Sequence, residues 1–236
     1  MTKTGFSAAA GSGEMTQDPF DALREQMVQV IAIYAHYSSE KLGKDAFDER
    51  VLEVLGEVPR HEFVPLELRA YAYADGPLSI GYEKTISQPF MVALMTDLAE
   101  IEDGMRVLEV GPGLGYHAAV LAALGAQVYS VEIIDELAVQ AEKIFKHQRV
   151  TGIEFRIGDG SHGWAEHAPY DRIMVSAAPE LIPPLLIDQL KPGGRMVVPA
   201  GMADAQQLMV IDKNETERLK TWEVMPVRFS PLETVN

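Results

Sequence analysis

The stretch Val107-Leu-Glu-Val-Gly-Pro-Gly-Leu-Gly-Tyr116 decides the fold of this 236-residue chain. It includes most of an apolar run over residues 105–110, which suits a strand buried in a parallel sheet. A glycine loop follows, and the Ala- and Leu-rich residues 116–125 then predict a helix. Glycines let the backbone turn sharply and approach a ligand, because no Cβ intervenes. Strand, glycine turn and helix in this order are typical of nucleotide-binding loops in doubly wound α/β folds. The glycines of the loop stand at alternate positions: Gly111, Gly113 and Gly115.

The spacing of these glycines indicates the kind of ligand. A dinucleotide fingerprint, G-x-G-x-x-G, needs a third glycine where this chain has Tyr116. The pattern here is G-x-G-x-G, with Glu109 two positions before the first glycine, and it suits an adenosyl ligand without a pyrophosphate. A nicotinamide dehydrogenase is therefore the weakest alternative.

An acidic residue lies at the position that binds a ribose in folds of this kind. The next apolar run, residues 127–131, ends at Glu132, which follows Gly111 by 21 positions. A carboxylate at the end of the second strand of such a fold accepts hydrogen bonds from ribose hydroxyls. The structural alternative for the loop and the glutamate is a tight turn with a solvent-facing side chain.

The rest of the core continues the β-α alternation. Strands are predicted at residues 153–157, 170–176 and 195–199, with helices at 135–148 and 181–190 between them. Right-handed crossovers then build a mostly parallel sheet whose ligand crevice lies at the carboxyl ends of its strands. The predicted site residues that fall at such ends are Glu109, the glycine loop, Glu132, Asp159 and residues 176–178.

The domain organisation expected is one α/β domain, residues 19–236, behind a disordered tail, residues 1–18. Within it, helices and a substrate loop occupy 19–104, the cofactor-binding core 105–201, and antiparallel strands 202–236, with extended segments at 206–212, 217–226 and 227–232. Helices are predicted at 20–37, with Asp18 as N-cap and Pro19 in the first turn, and at 48–56 and 90–101, with a short helix or turn at 66–74. Residues 75–89 show little periodicity and are expected to form a loop.

The first helix is more apolar than a surface helix needs, especially over residues 27–34. Two explanations stay open at this point. The helix packs deeply on the domain, or it offers a surface to a partner. The expected state is therefore a monomer, or a weak homo-oligomer held through this helix.

Bulk composition excludes several classes of protein. The net charge of −15 argues against a general nucleic-acid binder and against binding to anionic membranes. The chain has no cysteine, and its six histidines show no H-E-x-x-H spacing, so no metal site is predicted. No apolar run approaches the roughly 18 residues of a membrane span, and no secretory signal is visible. A cytoplasmic enzyme or binding protein is expected.

Taken together, the residues resemble the protein-L-isoaspartate O-methyltransferases, over residues 48–232. The glycine loop is shared with methyltransferases in general, whereas the earlier segments are specific to this family. The segments that carry the resemblance are Val58-Pro-Arg-His-Glu-Phe-Val-Pro65, Pro77-Leu-Ser-Ile-Gly81, Thr85-Ile-Ser-Gln-Pro89, Val107–Tyr116, Gly158-Asp-Gly160, Gly163-Trp164, Pro169-Tyr-Asp171, Gly193-Gly-Arg195 and Pro226-Val-Arg-Phe229.

The resemblance implies a Rossmann-like fold, S-adenosylmethionine as methyl donor, and transfer to the α-carboxylate of L-isoaspartyl residues in damaged proteins, which is a repair reaction. It implies that Ser87, with Thr85, positions the acceptor carboxylate, and that Lys84, Ile86 and Arg228 contact the substrate. The cofactor-binding positions it implies are Glu109, Gly111, Gly113, Gly115, Glu132, Asp159 and Gly160.

The chemistry of this reaction fits the residues present. A carboxylate acceptor is already ionised at pH 7, so it needs no general base. Proximity, orientation and desolvation can then carry the transfer. The lack of an obvious His-Asp pair is therefore expected, and His61 and His117 are interpreted as packing or hydrogen-bonding residues.

Several single residues keep a structural alternative. Ser87 can be the N-cap of the helix that starts at residue 89 or 90. Asp159, between two glycines, can be a plain turn residue. Arg228 can pair with the acceptor carboxylate or lie on an exposed strand face.

Two departures from the family pattern leave other functions open. Glu83-Lys84 stands where the family usually has Gly-Gln, so the acceptor specificity can differ. Residues 20–44 are longer and more apolar than the usual start of the family. The alternatives are a methyltransferase with another acceptor, and a non-catalytic protein that binds the cofactor and uses the first helix as an interface.

Overall fold

A computed structural model describes residues 18–235 of the chain. Residues 1–17 of the predicted disordered tail lie outside the described part. Asp18, the last residue of that predicted tail, accepts a hydrogen bond from the Phe20 amide at 3.0 Å through its carboxylate.

The centre of the fold is a seven-stranded sheet with the order β5-β4-β3-β6-β7-β8-β9. The first five strands in that order run parallel, and β8 and β9 are antiparallel additions at one side. This is the mostly parallel α/β architecture predicted for the core. The strands are β3 (Arg106–Val110), β4 (Gln127–Glu132), β5 (Ile153–Ile157), β6 (Tyr170–Val175), β7 (Leu190–Ala200), β8 (Gln207–Lys213) and β9 (Leu219–Pro226).

The predicted helices of the core lie close to their expected positions. The longest helices could be predicted from the sequence because their apolar residues recur at helical spacing. The helices are α1 (Asp21–Tyr37), α2 (Ser39–Leu42), α3 (Glu49–Glu57), α4 (Pro89–Ala99), α5 (Tyr116–Ala123), α6 (Asp135–Gln148) and α7 (Pro184–Gln189).

Strand β3 lies in the middle of the sheet and separates two apolar layers. It pairs with β4 on one side and β6 on the other. Val107 packs in the larger core, to which α1 and α3–α6 contribute, while Leu108 and Val110 pack in a smaller core with α7. Burial on both faces explains why the strand reads as a nearly continuous apolar run.

The loop expected over residues 75–89 contains a β-hairpin. Strands β1 (Leu78–Gly81) and β2 (Lys84–Ile86) pair antiparallel, and Tyr82 and Glu83 turn the chain with φ values of 51° and 56°. Hairpin turns of the favoured primed types need positive φ, which usually calls for Asn or Gly. Tyr-Glu lacks that signal, so the prediction of an irregular loop was wrong.

Several predicted boundaries also differ. Helix α1 begins at Asp21 with Phe20 as N-cap, so the prediction of Asp18 in that role was wrong. The short helix or turn predicted at 66–74 is a 3₁₀ helix over residues 66–71, and α7 is shorter than predicted because Pro183 and Pro184 delay its start. Residues 227–232 form no strand, and only Pro231 makes an isolated parallel bridge, to Ala178.

Part of the apolar surface of α1 is buried inside the domain. Met27, Ile31 and Ala35 are buried on one face of the helix, which packs against α3 and α4. Packing on the domain, the first of the two alternatives, therefore accounts for this face, whereas Ile33 and Tyr34 are exposed. The described residues give no support for association through α1.

Candidate functional site

A cavity of about 820 Å³ opens at the carboxyl ends of β3, β4 and β6. The glycine loop and the end of β4 form its floor, and the β1–β2 hairpin forms one side. Eight of the predicted site residues line it: Lys84, Thr85, Ile86, Ser87, Gly111, Gly113, Glu132 and Gly160.

Two glycines of the loop adopt backbone angles that other residues rarely adopt. Gly111 and Gly113 have φ values of 76° and 58°, in the left-handed region that favours glycine. A Cβ on Gly113 would lie 2.9 Å from Ile80 Cδ1, and one on Gly160 would lie 2.4 Å from Val110 Cγ1. The backbone therefore forms the cavity surface at these positions, which lets a ligand approach it closely.

Glu132 joins the end of β4 to the glycine loop. Its Oε2 accepts from the Gly113 amide at 2.9 Å, and its Oε1 accepts from the Ile134 amide at 3.0 Å. Burial raises the pKa of this carboxyl, although the two amide hydrogen bonds oppose the shift. The alternative of a solvent-facing glutamate is wrong. Each oxygen keeps a further lone pair, so the carboxylate can still accept from a ligand.

Glu109 lies beneath the loop and does not line the cavity. The side chain is 0% exposed, and its Oε2 accepts from Ser130 Oγ at 2.9 Å. Its Oε1 has no hydrogen-bond partner among the described residues. Burial raises the pKa of Glu109 to about 8. The carboxyl is therefore mostly protonated at neutral pH, and its hydrogen bond to Ser130 connects β3 to β4 inside the sheet.

Three other predicted residues lie outside the cavity lining. Gly115 is the N-cap of α5, and a Cβ there would lie 2.2 Å from the Phe145 ring. Asp159 accepts from the amides of Ser161 and Val235, both at 2.8 Å, as a turn residue does. Arg228 lines a neighbouring groove.

Ser87 stands between the cavity and that groove. The groove spans about 1320 Å³ and is open to solvent, and it shares Thr85, Ser87, Ser176 and Ser230 with the cavity. Ser87 is not a helix cap, because the N-cap of α4 is Gln88 and the Phe90 amide is bound by Asp75 Oδ1 at 3.1 Å. The N-cap alternative for Ser87 is therefore wrong, and its hydroxyl does not cap the helix.

A buried arginine that the sequence reasoning assigned no role holds Ser87 in place. Arg60 is 0% exposed and donates from Nη2 to the Ser87 carbonyl at 2.7 Å and from Nε to the Ala72 carbonyl at 2.8 Å. Its guanidinium lies over the Tyr116 ring, 4.8 Å from the centroid. Burial lowers its pKa to about 10, so the group stays charged at neutral pH. Arg60 thus connects the Ser87 backbone to the helix that follows the glycine loop.

The C-terminal segment, residues 230–233, forms another wall of the cavity that the sequence reasoning missed. Ala178 donates its amide to the Ser230 carbonyl at 2.8 Å and accepts from the Leu232 amide at 2.9 Å. Glu233 forms an ion pair with Lys84 across the cavity mouth. The only sequence signal was the adjacent family segment at 226–229.

Residues 18–235 contain no group of three or more His, Asp or Glu side chains placed to hold a metal ion. No helix in this range has the length and apolarity that crossing a membrane requires.

The family model described as protein-L-isoaspartate(D-aspartate) O-methyltransferase matches residues 39–236. The chain belongs to this family. A relative from Polaromonas sp. (strain JS666), protein-L-isoaspartate O-methyltransferase 1, is 52% identical over 221 residues, 94% of each chain. One from Syntrophobacter fumaroxidans, protein-L-isoaspartate O-methyltransferase 2, is 51% identical over 226 residues, 95% of this chain and 92% of the relative.

Solved structures agree with this assignment. A structure named protein-L-isoaspartate O-methyltransferase has a TM-score of 0.75 at 29% identity, covering 88% of this chain. The match spans 65% of that protein, less than two thirds of its length. A Plasmodium falciparum structure, described as a β-aspartate methyltransferase in complex with S-adenosyl-L-homocysteine, also has a TM-score of 0.75, at 20% identity, covering 89% and 98% of the two chains. This second likeness shows the fold.

The buried Glu109 carboxyl predicts a pH dependence of stability. Its pKa rises from an ordinary 4.5 to about 8 on folding, so the folded state binds the extra proton between these values. Stability from this group is therefore full below about pH 4.5 and falls towards pH 8, by at most about 1.4 kcal/mol per pH unit. We expect Glu109→Gln to remove this slope.

Urea unfolding of wild type and Glu109→Gln at pH 5, 6, 7 and 8 measures the difference. The variant should gain on the wild type as pH rises. A difference in unfolding free energy that stays constant over this range would show that Glu109 ionises normally in the folded protein.

Proposed function

We propose that the chain binds S-adenosylmethionine in the cavity and transfers its methyl group to the α-carboxylate of L-isoaspartyl residues in damaged proteins. Family membership supports the reaction class. The observation that carries the proposal is the shared wall at Thr85 and Ser87, where the cavity meets the open groove. A protein acceptor lying in the groove would meet the methyl donor at these residues.

The cavity residues fit the cofactor. Gly111 and Gly113 leave the backbone bare at positive φ, as a close approach by the cofactor requires. Glu132 keeps carboxylate lone pairs for the ribose hydroxyls, and Gly160 lines the side expected for the adenine. When bound, S-adenosylmethionine supplies a methyl group on a positively charged sulfur. An ionised oxygen of the acceptor would bond to the methyl carbon as the carbon–sulfur bond breaks in line.

The acceptor side needs orientation rather than proton transfer. An isoaspartyl carboxylate is ionised at pH 7, so the chain has to aim it and exclude water. The Ser87 and Thr85 hydroxyls are donors at the shared wall, and Arg60 keeps the Ser87 backbone in place. We assign Ser87 and Thr85 to orientation of the carboxylate, with Ile86 as their apolar support.

Arg228 and Lys84 differ in how they relate to the acceptor. Arg228 lines the groove and can pair with an anionic peptide. Lys84 lines the cavity and is paired with Glu233, so much of its charge is already neutralised. This pairing favours retention of the family acceptor over a changed one, because Lys84 does not stand free in the groove. The nitrogen of the following peptide bond would then attack the ester carbonyl and release methanol, and hydrolysis of the resulting succinimide would return part of the material to normal aspartate. Cytoplasmic location remains a prediction.

The acceptor is tested directly with a matched pair of peptides. We expect methyl transfer from radiolabelled S-adenosylmethionine to an isoaspartyl peptide, and none above background to the same sequence with aspartate. The measurement is base-labile methyl ester. Cofactor binding by calorimetry without transfer to any protein acceptor would contradict the proposal and favour a binding protein.

Separate roles for Glu132 and Ser87 predict separable defects. Glu132→Ala should weaken S-adenosylhomocysteine binding at least tenfold, because it removes a buried charged acceptor. Ser87→Ala should lower kcat by about 10-fold to 100-fold with the binding constant within threefold of wild type. Calorimetry and initial rates distinguish these outcomes. Equal loss of binding in both variants would contradict the assignment.

Arg60→Met should lower transfer through Ser87. The matched control is Lys213→Met, because Lys213 is also buried and donates to two carbonyls, those of Ile187 and Leu190, outside the site. Both variants should lose about 1–3 kcal/mol of stability. Only Arg60→Met should lower kcat, by about tenfold or more. Similar kcat losses in the two variants, measured well below their unfolding temperatures, would show that Arg60 acts only through stability.

A further inference from the structure

His117 is a polar residue in the cavity wall to which the proposed function gives no role. It lies in the first turn of α5, directly after the glycine loop, and lines the cavity together with Val92 of α4. The residue is 7% exposed. Its Nε2 lies 2.9 Å from Thr96 Oγ1.

The hydrogen bonds of Thr96 determine which nitrogen of the ring carries the proton. The Thr96 hydroxyl donates to the Val92 carbonyl at 2.7 Å. A hydroxyl has one proton to donate, so towards His117 it can only accept. The ring therefore carries its proton on Nε2 and donates it to Thr96. Nδ1 is left with a lone pair and acts as an acceptor.

Nδ1 is also the nitrogen available to a ligand. It makes no hydrogen bond within residues 18–235. It is also not among the side-chain atoms of that range that are both fully buried and without a partner, so it is not fully buried. Since His117 lines the cavity, Nδ1 keeps contact with the cavity space. Burial lowers the pKa of His117 to about 4, so the ring is neutral at pH 7 and presents an acceptor rather than a positive charge. A ligand group at this place has to be a hydrogen-bond donor.

The order of the strands indicates which donor this is. Gly160 follows β5, Glu132 ends β4, and the glycine loop with His117 follows β3, and these strands are neighbours in that order. An adenosyl ligand with its adenine at Gly160 and its ribose at Glu132 extends its methionyl end towards β3 and α5. The remaining donor of S-adenosylmethionine is the α-ammonium at that end.

We propose that His117 Nδ1 accepts a hydrogen bond from the α-ammonium group of the cofactor, with Thr96 holding the ring in the required tautomer. This inference rests on the proposed function only for the identity of the cofactor. His117 is then a cofactor-binding residue, and Thr96 is a positioning residue that acts through it. A neutral acceptor suits this group, since a charged imidazolium would repel the ammonium.

The proposal is tested with two ligands that differ at this end. S-adenosylhomocysteine carries the α-ammonium, and 5′-methylthioadenosine shares its adenosine and sulfur but lacks the amino-acid portion. Calorimetry on the full chain should show that His117→Leu raises the Kd of S-adenosylhomocysteine about tenfold or more, because a hydrogen bond to a charged group is lost. The Kd of 5′-methylthioadenosine should stay within about threefold.

Two further variants separate binding from structure. His117→Gln should keep the affinity for S-adenosylhomocysteine within about threefold, because its amide can donate to Thr96 and its carbonyl can accept from the ammonium. Thr96→Val leaves the ring without its acceptor and should weaken S-adenosylhomocysteine but not 5′-methylthioadenosine. Thr96→Val also serves if His117→Leu does not fold.

The opposite results overturn the proposal. Equal weakening of both ligands by His117→Leu would assign the residue to structure, and unchanged affinity for S-adenosylhomocysteine would remove it from the binding site. The proposed function fails separately. A wild-type protein that methylates no isoaspartyl peptide, while His117→Leu still shows the ligand-selective loss, would refute the acceptor and leave the His117 contact standing.

Discussion

The hydrogen bond between the Glu132 carboxylate and the Gly113 amide connects the two parts on which the site depends. One partner ends strand β4, and the other belongs to the loop that leaves β3. Because the two strands are parallel neighbours, their ends meet at one edge of the sheet, and one buried carboxylate can bind both the loop and the start of the chain towards α6. The same side chain that shapes the loop is the group expected to receive the ribose. Shape of the loop and recognition of the ligand are therefore coupled in one residue.

The acceptor side is built on a second buried charge. Arg60 comes from a 3₁₀ helix well before the core, yet its guanidinium binds the Ser87 carbonyl and stacks on Tyr116 of α5. A charge this deep costs free energy unless its donors are used, and two of them are used on main-chain carbonyls. Arg60 consequently connects the Ser87 backbone to the helix that follows the glycine loop, while the Ser87 hydroxyl stays available to a ligand. A buried polar group such as Arg60 thus positions residues of the site as well as contributing to the stability of the fold.

The acidic composition agrees with this arrangement. The net charge of the chain is −15, and the cations named at the site are specifically placed. Lys84 is bound by Glu233 and Arg60 by carbonyls, whereas Arg228 lines the groove. Electrostatic attraction for an anionic acceptor is therefore local to the groove and does not come from the net field of the protein.

The core of the fold and the cofactor side of the site followed from the sequence. The glycine loop, Glu132 and the β-α alternation are local patterns, and the rule that parallel strands end at one edge places them together without coordinates. The β1–β2 hairpin did not follow, because Tyr82 and Glu83 adopt positive φ without the residues that normally signal such a turn.

By itself, the sequence determined the parallel core, the kind of ligand and the family, since these depend on residues close together in the chain. Only the tertiary structure decided which polar groups face the cavity. It buried Glu109 against Ser130 inside the sheet, bound the Phe90 amide at the start of α4 to Asp75 rather than to Ser87, and joined Lys84 to Glu233, 149 positions apart. It also set the tautomer of His117 through Thr96 on another helix. Burial and long-range hydrogen bonds decide such roles, and neither can be predicted from residues that are neighbours in the chain.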